Sequence, residues 1–336
     1  MQSSSAIPTF SVVIPVHNVE TYLPRLFTTL RNQNLEQTEI IFVDDGSTDR
    51  SPQLLDEVAN EEHFVVLHQN NQGVATARNN AVAHANGDYL CFIDPDDNVS
   101  DGYFATLRET AARTHADLLL TDWWKMKDDG IERKEISMLS DADNLDAHAV
   151  LNTILHTDTI IGSLWAKAFA RHLFTNNPFP PQRTCSDFVP CVTAIANART
   201  VAYASGIHYE YTSSRPDSLQ NSQSEQDVRD SVLVHQQFSH LLQEKFPDLM
   251  PSAELDMLGS RMQACIHTCR STKISPKRRK HVFYEYQRGL FSHIPQVWHE
   301  HMGSRKDRVL YTIISLGYVP AQAALKTRAH IARARH

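Results

Sequence analysis

The sequence predicts an α/β protein, with a mainly parallel central sheet flanked by helices and a mostly helical C-terminal region. Three observations carry that expectation. Short β-branched runs recur through the first third of the chain, and the segments between them have helical periodicity. Beyond about residue 220 only helical patterning remains.

The first run, "FSVVIPV" from Phe10, is followed by "EIIFVDD" from Glu39, "FVVLHQ" from Phe64, "DYLCFID" from Asp88 and "DLLLTD" from Asp117. Runs this apolar on both faces suit strands covered on both sides, as parallel strands are. Between them Leu23, Leu26, Phe27 and Leu30 fall on one helical face, as do Leu54, Leu55 and Val58. Ligands of such sheets sit beyond the carboxyl ends of the strands. Acids gather at those ends: Asp44 and Asp45 close one run, Asp94 another and Asp122 a third.

Composition bounds the rest. A chain of 336 residues, 41% hydrophobic and 21% charged, has the make-up of a soluble protein with one large domain and an appendage. "MQSSSAIPTFSVVIPV" lacks a basic leader, and Pro8 and Pro15 interrupt its apolar stretch, so no signal peptide is expected. Five scattered cysteines fit a reducing compartment, hence a cytoplasmic protein. "CIHTC" from Cys265 to Cys269 reads as helix, with no second ligand pair at zinc spacing. From Arg270 to His336 there are 14 Lys and Arg against 3 Asp and Glu, a surplus of +11. The preceding 269 residues carry 18 against 36, or −18. An acidic body with a basic tail implies an anionic partner for the tail alone.

"DPDD" packs Asp94, Asp96 and Asp97 into four positions behind a buried run. Carboxylates that close repel unless a cation lies among them. Hard oxygen donors on a short loop suit Mg²⁺ or Mn²⁺, whose remaining ligands are then diphosphate oxygens. In "DDGSTD" a turn at Gly46 and a helix cap from Ser47 or Thr48 account for the later residues. They leave Asp44 and Asp45 without a purpose.

Four stretches, "SVVIPVHNVETYLPRLFTTLRNQ", "EIIFVDDGSTDRS", "NQGVATARNNAVAHANGDYLCFIDPDDNV" and "GSLWAKAFARHLF", together resemble the family-two glycosyltransferases of GT-A fold. That fold is Rossmann-like. The resemblance implies an inverting, metal-dependent transfer of sugar from a nucleotide-sugar to a hydroxyl of a glycan or lipid-linked acceptor, in bacterial-type surface polysaccharide or glycolipid synthesis. It implies a catalytic domain over residues 1–220, with a nucleotide-binding half at about 8–122 and an acceptor half at about 123–220, followed by the helical region 221–336.

Residue by residue, the resemblance places Pro15, Val16 and Asn18 around the base and ribose. Asp44 accepts from the uracil N3–H, which makes a UDP-sugar the expected donor, and Asp45 supports that pocket. Arg78 lies near the nucleotide end, Asp94 and Asp96 form the DxD pair, and Asp97 extends it at the metal. Trp165 and Lys167 match a "WxK" segment, with Trp165 facing an acceptor sugar and Lys167 orienting it. The family's Glu-Asp pair is here Ser186 and Asp187, leaving Asp187 as general base. Without the resemblance, Ser186 would simply cap a helix with Asp187 in its first turn. "RPDS" places Arg215 toward the diphosphate, although a second family arginine is Thr212 here.

The tail contributes "KISPKRRK" and a helix with Val309, Leu310, Ile313 and Ile314 on one side. Tyr311, Thr312, Ser315, Pro320 and Gln322 make it too polar to span a membrane. The expectation is a helix lying on an anionic membrane surface, on the inner face of the plasma membrane. Packing on the body and an oligomer contact are its other uses. Nucleic acid is not an expected partner. Two further classes stay open: a nucleotidyltransferase, though "IPVHNVETYL" lacks a Gly-rich basic phosphate loop, and a non-catalytic sugar-nucleotide-binding subunit.

Overall fold

The first apolar run becomes β1 (Phe10–Val16), with every residue buried, in the computed structural model, which describes residues 9–127, 130–139, 142–182, 184–213 and 224–333. It is followed by α1 (Leu23–Arg31), β2 (Thr38–Asp45), α2 (Ser51–Val58), β3 (Phe64–Gln69), α3 (Val74–His84) and β4 (Tyr89–Phe92). β2 and β4 flank β1 in parallel, and β3 adds beyond β2. α1 turns Leu23, Leu26, Phe27 and Leu30 into the core, the stripe its spacing predicts. At about 1.5–3 kcal/mol for each fully buried large apolar side chain, that stripe fixes the helix on the sheet.

The chain continues through β5 (Asn98–Val99), α4 (Tyr103–Thr114), β6 (Leu118–Lys127), β7 (Gly130–Lys134), α5 (Ala147–His156), β8 (Lys167–Ala170), α6 (Phe188–Asn197) and β9 (Val201–Thr212). Across the sheet the order is β3-β2-β1-β4-β8-β6-β9-β5, with β7 paired to β6. β8 runs antiparallel to both β4 and β6. The sheet is therefore parallel in its first half and mixed in its second. Burial pattern alone does not distinguish strand direction.

One expected strand end moves. β6 continues past Asp122 to Lys127, and the register with β9 shifts between Leu120 and Asp122. Asp122 Oδ1 accepts from the Ile136 N–H at 2.7 Å, and Oδ2 from Tyr203 Oη at 2.7 Å. The acid is a buried brace inside the strand, not part of the rim.

By contact the chain divides into units of Met1–Arg215 and Pro216–His336. The described part of the second is helical: α7 (Glu225–Lys245), α8 (Met250–Arg270), α9 (Pro276–Gln287), α10 (Ile294–His299), α11 (Arg305–Ser315) and α12 (Tyr318–Arg333). Both α7 and α11 open on a capping box, Ser224 with Asp227 and Ser304 with Asp307, which satisfies otherwise orphaned backbone N–H groups. Met262, Cys265, Cys269, Phe283, Leu290, Val297, Leu310 and Ile314 share one core. This corrects the expected membrane-facing side. Leu310 and Ile314 are core residues, Ile313 is half-buried, and only Val309 of the four is exposed. A sequence shows that a helix has an apolar stripe; only packing shows what covers it. No described helix is long and apolar enough to cross a membrane.

Candidate active site

In the parallel ladder Pro15 lies opposite Val43, and Val16 opposite Asp44, so the turns leaving β1 and β2 emerge side by side. Asn18 ties them together. Its Oδ1 accepts from the Thr48 N–H at 2.8 Å and the Asp49 N–H at 3.3 Å, while its own N–H donates to Ser47 Oγ at 3.0 Å. Gly46 has φ +66°, and a β-carbon there would sit 2.6 Å from the Asn71 nitrogen, so the turn needs glycine.

Asp44 is buried at the end of β2. Its Oδ1 accepts from the Ser47 N–H at 3.0 Å, and Oδ2 lies 3.0 Å from His68 Nδ1. A carboxylate offers about four lone-pair sites, so two contacts leave room for a further donor. His68 stands opposite Asp44 in the β2–β3 register and bridges on to Asp56 at 3.2 Å. The bond to Asp44 is the main cause raising its pKa above the ordinary histidine value. Sequence reasoning missed His68, although lining up the two strand ends would have found it. Asp45 is committed elsewhere. It accepts from Gln69 Nε2 and from the Gln72 and Gly73 N–H groups, each at 2.8 Å, and so holds the turn into α3.

At the end of β4 the three carboxylates part company. Asp97 is buried, its Oδ2 accepting from Tyr209 Oη at 2.7 Å and its Oδ1 from the Thr212 N–H at 2.8 Å. Burial, then the nearby Asp94 and Asp96 charges, push its pKa well above the carboxylate range. Both oxygens face β9, which takes Asp97 out of the expected metal set. Tyr209 also accepts from the Asp94 N–H at 3.1 Å, so one hydroxyl braces the whole loop. Nothing in the sequence pairs Tyr209 with this loop. Asp94 and Asp96 remain at the half-exposed rim, where the Asp96 carbonyl also accepts from Arg25 Nη2 at 2.5 Å. Among the described residues no group of three His, Cys, Asp or Glu could hold a metal unaided. Two carboxylates still suit Mg²⁺ or Mn²⁺, which commonly take one or two from protein and the rest from phosphate and water.

Arg78 reaches this rim from α3. Its Nη2 lies 3.3 Å from Asp94 Oδ1, and its guanidinium carbon is 5.9 Å from the centre of the Phe179 ring. Its Nε is buried without a hydrogen-bond partner among the described residues. The next helical residue holds a later segment of the chain: Asn79 Nδ2 donates to the Phe179 carbonyl and Asn79 Oδ1 accepts from the Phe179 N–H, both at 2.9 Å. The segment so pinned leads to α6, where Asp187 is the N-cap residue but makes no capping bond. The cap falls on Asp187 and not on Ser186, which lies buried one position earlier. Burial raises the Asp187 pKa, the Arg78 charge opposes that, and Asp94 adds to it. Arg78 and Asp94 therefore both act on Asp187 at this rim.

Two expected acceptor contacts are not open to a ligand. Trp165 is 6% exposed, its ring stacked on Tyr209 at 5.0 Å and Tyr211 at 5.2 Å, with Trp123 edge-on at 5.1 Å. No face is left for a sugar. Lys167 is buried, its Nζ donating to the carbonyls of Ile161 (2.8 Å), Ser163 (2.8 Å) and Trp165 (3.3 Å). An ammonium has three donors, and all are used. Lys167→Met is accordingly expected to lower stability by about 2–3 kcal/mol, since stranded buried carbonyls cost of that order, read as a lower urea midpoint. Unchanged stability with a raised acceptor KM would restore the acceptor role. Arg215 lies outside the described residues.

Residues 11–171 match the family model described as glycosyl transferase family 2. The chain is 35% identical over 116 residues to the glycosyltransferase GlyG of Streptococcus pneumoniae serotype 4 (strain ATCC BAA-334 / TIGR4), covering 34% of this chain and 38% of that one. It is 29% identical over 218 residues to the poly(ribitol-phosphate) beta-N-acetylglucosaminyltransferase TarS of Staphylococcus aureus (strain Mu50 / ATCC 700699), covering 61% and 36%. The chain spans about a third of the length of the first curated relatives it matches. Among solved structures, S. aureus TarS 1–349 in complex with UDP-GlcNAc superposes with TM-score 0.57 at 18% identity, covering 92% of this chain and 79% of that one. The mannosyltransferase PcManGT from Pyrobaculum calidifontis, in complex with GDP-Man and Mn²⁺, gives 0.54 at 14% identity, covering 95% and 87%. At these identities the superpositions speak for the fold alone.

Proposed function

The chain belongs to glycosyl transferase family 2 through residues 11–171, and from that premise we propose that it is an inverting transferase moving a sugar from a nucleotide-sugar to a hydroxyl of a glycan or lipid-linked acceptor in cell-surface polysaccharide synthesis. The observation that carries the reading is Asp187, raised in pKa and making no bond that caps its helix, at the rim where Arg78 pairs with the half-exposed Asp94. A raised carboxylate is a better proton acceptor, and a general base must lie across the sugar from the leaving group.

In this reading the acceptor hydroxyl loses its proton to an Asp187 oxygen as its own oxygen bonds to the anomeric carbon. The bond from that carbon to the donor phosphate breaks, and its electron pair leaves with the nucleoside diphosphate. Arg78, charged and short of one partner at Nε, faces that developing negative charge. Asp44 keeps lone pairs for the N3–H of uracil, which favours a UDP-sugar. A divalent cation held by Asp96 and Asp94, Mg²⁺ or Mn²⁺, would supply Lewis-acid stabilisation of the leaving diphosphate. Of the structural relatives, S. aureus TarS was solved in complex with UDP-GlcNAc and PcManGT in complex with GDP-Man and Mn²⁺, which sets the donor panel worth testing.

Thermal unfolding with a panel of nucleotide-sugars and Mn²⁺ tests the donor. A ligand at a hundredfold excess over Kd adds about 2.7 kcal/mol to stability. Stabilisation by UDP-sugars above other nucleotides is expected, with release of UDP when acceptor is added. Because Ser186 replaces the family glutamate, a non-catalytic binding subunit is the second reading. Stabilisation without any UDP release would establish it, and pyrophosphate release would establish a nucleotidyltransferase. No stabilisation by any nucleotide-sugar would remove both donor readings.

A further inference from the structure

Large apolar side chains exposed in the second unit concentrate on its last helices. Phe291 is 63% exposed, Trp298 39%, Val309 44%, Leu316 60% and Val319 69%. Trp298, Val309 and Leu316 share a surface, and Phe291 and Val319 flank them in sequence. On α11, Val309, Thr312 and Leu316 follow at helical spacing, and Trp298 Nε1 from α10 donates to Thr312 Oγ1 at 3.1 Å. Arg308 lies over the Trp298 ring at 5.5 Å. Val319 follows Leu316 across the turn between α11 and α12, and Phe291 precedes Trp298 by seven residues, one place on from the buried Leu290 and Val297. The core is thus made by one set of positions and this surface by the adjacent set.

The charge around it is mainly positive. Arg305, Lys306 and Lys326 are exposed. Of the nearby acids, Asp307 is engaged in the capping box with Ser304, and Glu300 follows α10. We propose that this surface of Phe291, Trp298, Val309, Leu316 and Val319, rimmed by Arg305 and Lys306, seats the protein on an anionic lipid membrane. An isolated apolar patch would suit a second copy of the chain equally well; the surplus of +11 in residues 270–336 suits lipid phosphates and would oppose self-association. Trp and Phe with flanking cations are the side chains that settle at a bilayer interface. The proposal does not depend on the transfer reaction.

Deleting the chain from Ser304 would remove Leu310, Ile314, Ala321 and Leu325 from the core, so point substitutions are the sound probe. The intact protein is sedimented with phosphatidylglycerol vesicles and with phosphatidylcholine vesicles. Binding is expected to the first only and to fall about tenfold or more as salt shrinks the Debye length from ~10 Å at 0.1 M to ~3 Å at 1 M. Leu316→Ser with Val319→Ser, and separately Arg305→Glu with Lys306→Glu, should each weaken it about tenfold without a change in melting temperature. Quenching of tryptophan fluorescence by spin-labelled phosphatidylglycerol should be reduced in Trp298→Phe, which keeps an apolar side chain. Equal binding to neutral vesicles, or undiminished binding by both double variants, overturns the proposal. So does a wild-type dimer that the Leu316→Ser, Val319→Ser pair makes monomeric, which would assign the face to a second copy.

Discussion

Asp187→Asn is expected to abolish most transfer, by about 10²–10⁴-fold in kcat, while donor binding stays near that of the wild type. Asparagine keeps the shape of the side chain but accepts no proton at neutral pH. The wild-type profile should add a second signature. Burial raises the folded-state pKa of Asp187, so the acid limb of kcat/KM should lie above the ordinary aspartate value of about 3.9. That limb should vanish from the residual activity of the variant. The same shift has a consequence for stability. A folded pKa above the unfolded one gives stability that is present below the unfolded value and is lost as pH rises through the folded value. At neutral pH ionised Asp187 therefore weighs against folding, and the variant should melt no lower than the wild type. If Asp187→Asn transfers normally while Asp122→Asn fails at undiminished stability, the base has been misassigned.

Asp96→Asn should reduce kcat by about two to three orders of magnitude, comparable to losing one preorganised electrostatic stabiliser. The fold should survive, since the change removes one of three neighbouring carboxylate charges. Calorimetric titration with Mn²⁺ in the presence of UDP should show affinity weakened in parallel, which separates a lost ligand from a disturbed loop. Asp97→Asn is the informative contrast. Asp97 accepts from Tyr209 and Thr212, so its replacement should lower stability first and Mn²⁺ affinity only as the loop loosens. Full activity of Asp96→Asn, or wild-type transfer that EDTA leaves intact, would end the metal reading.

Much of the parallel first half of the sheet could be read from residues alone. Runs apolar on both faces became β1, β2 and β4, and the stripe of Leu23, Leu26, Phe27 and Leu30 became the buried face of α1. Local rules suffice there, because each strand and helix is decided by its own periodicity and the acids follow the strand ends. The mixed second half of the sheet was less legible. The direction of β8 and the bracing of Asp97 depend on partners more than 40 residues away, Tyr89–Cys91 for β8 and Tyr209 for Asp97, and β6 past Asp122 pairs with the distant β9 as well as with the adjacent β7.

By itself the sequence determined the α/β alternation, the cluster of carboxylates behind β4 and the excess of positive charge in the tail. Tertiary structure decided which of those side chains still have a free function. Trp165, Lys167, Asp45 and Asp97 have residue types that suit a ligand, yet each is held by neighbours that arrive from elsewhere in the chain or by backbone groups of its own loop. Leu310 and Ile314 were apolar enough for a membrane and are instead core. The physical reason is common to all of them. A side chain's chemistry is local and can be read from its type, but its hydrogen-bonding sites and apolar surface are consumed by whatever packs against them. That depends on contacts distant in sequence, which periodicity and spacing do not encode.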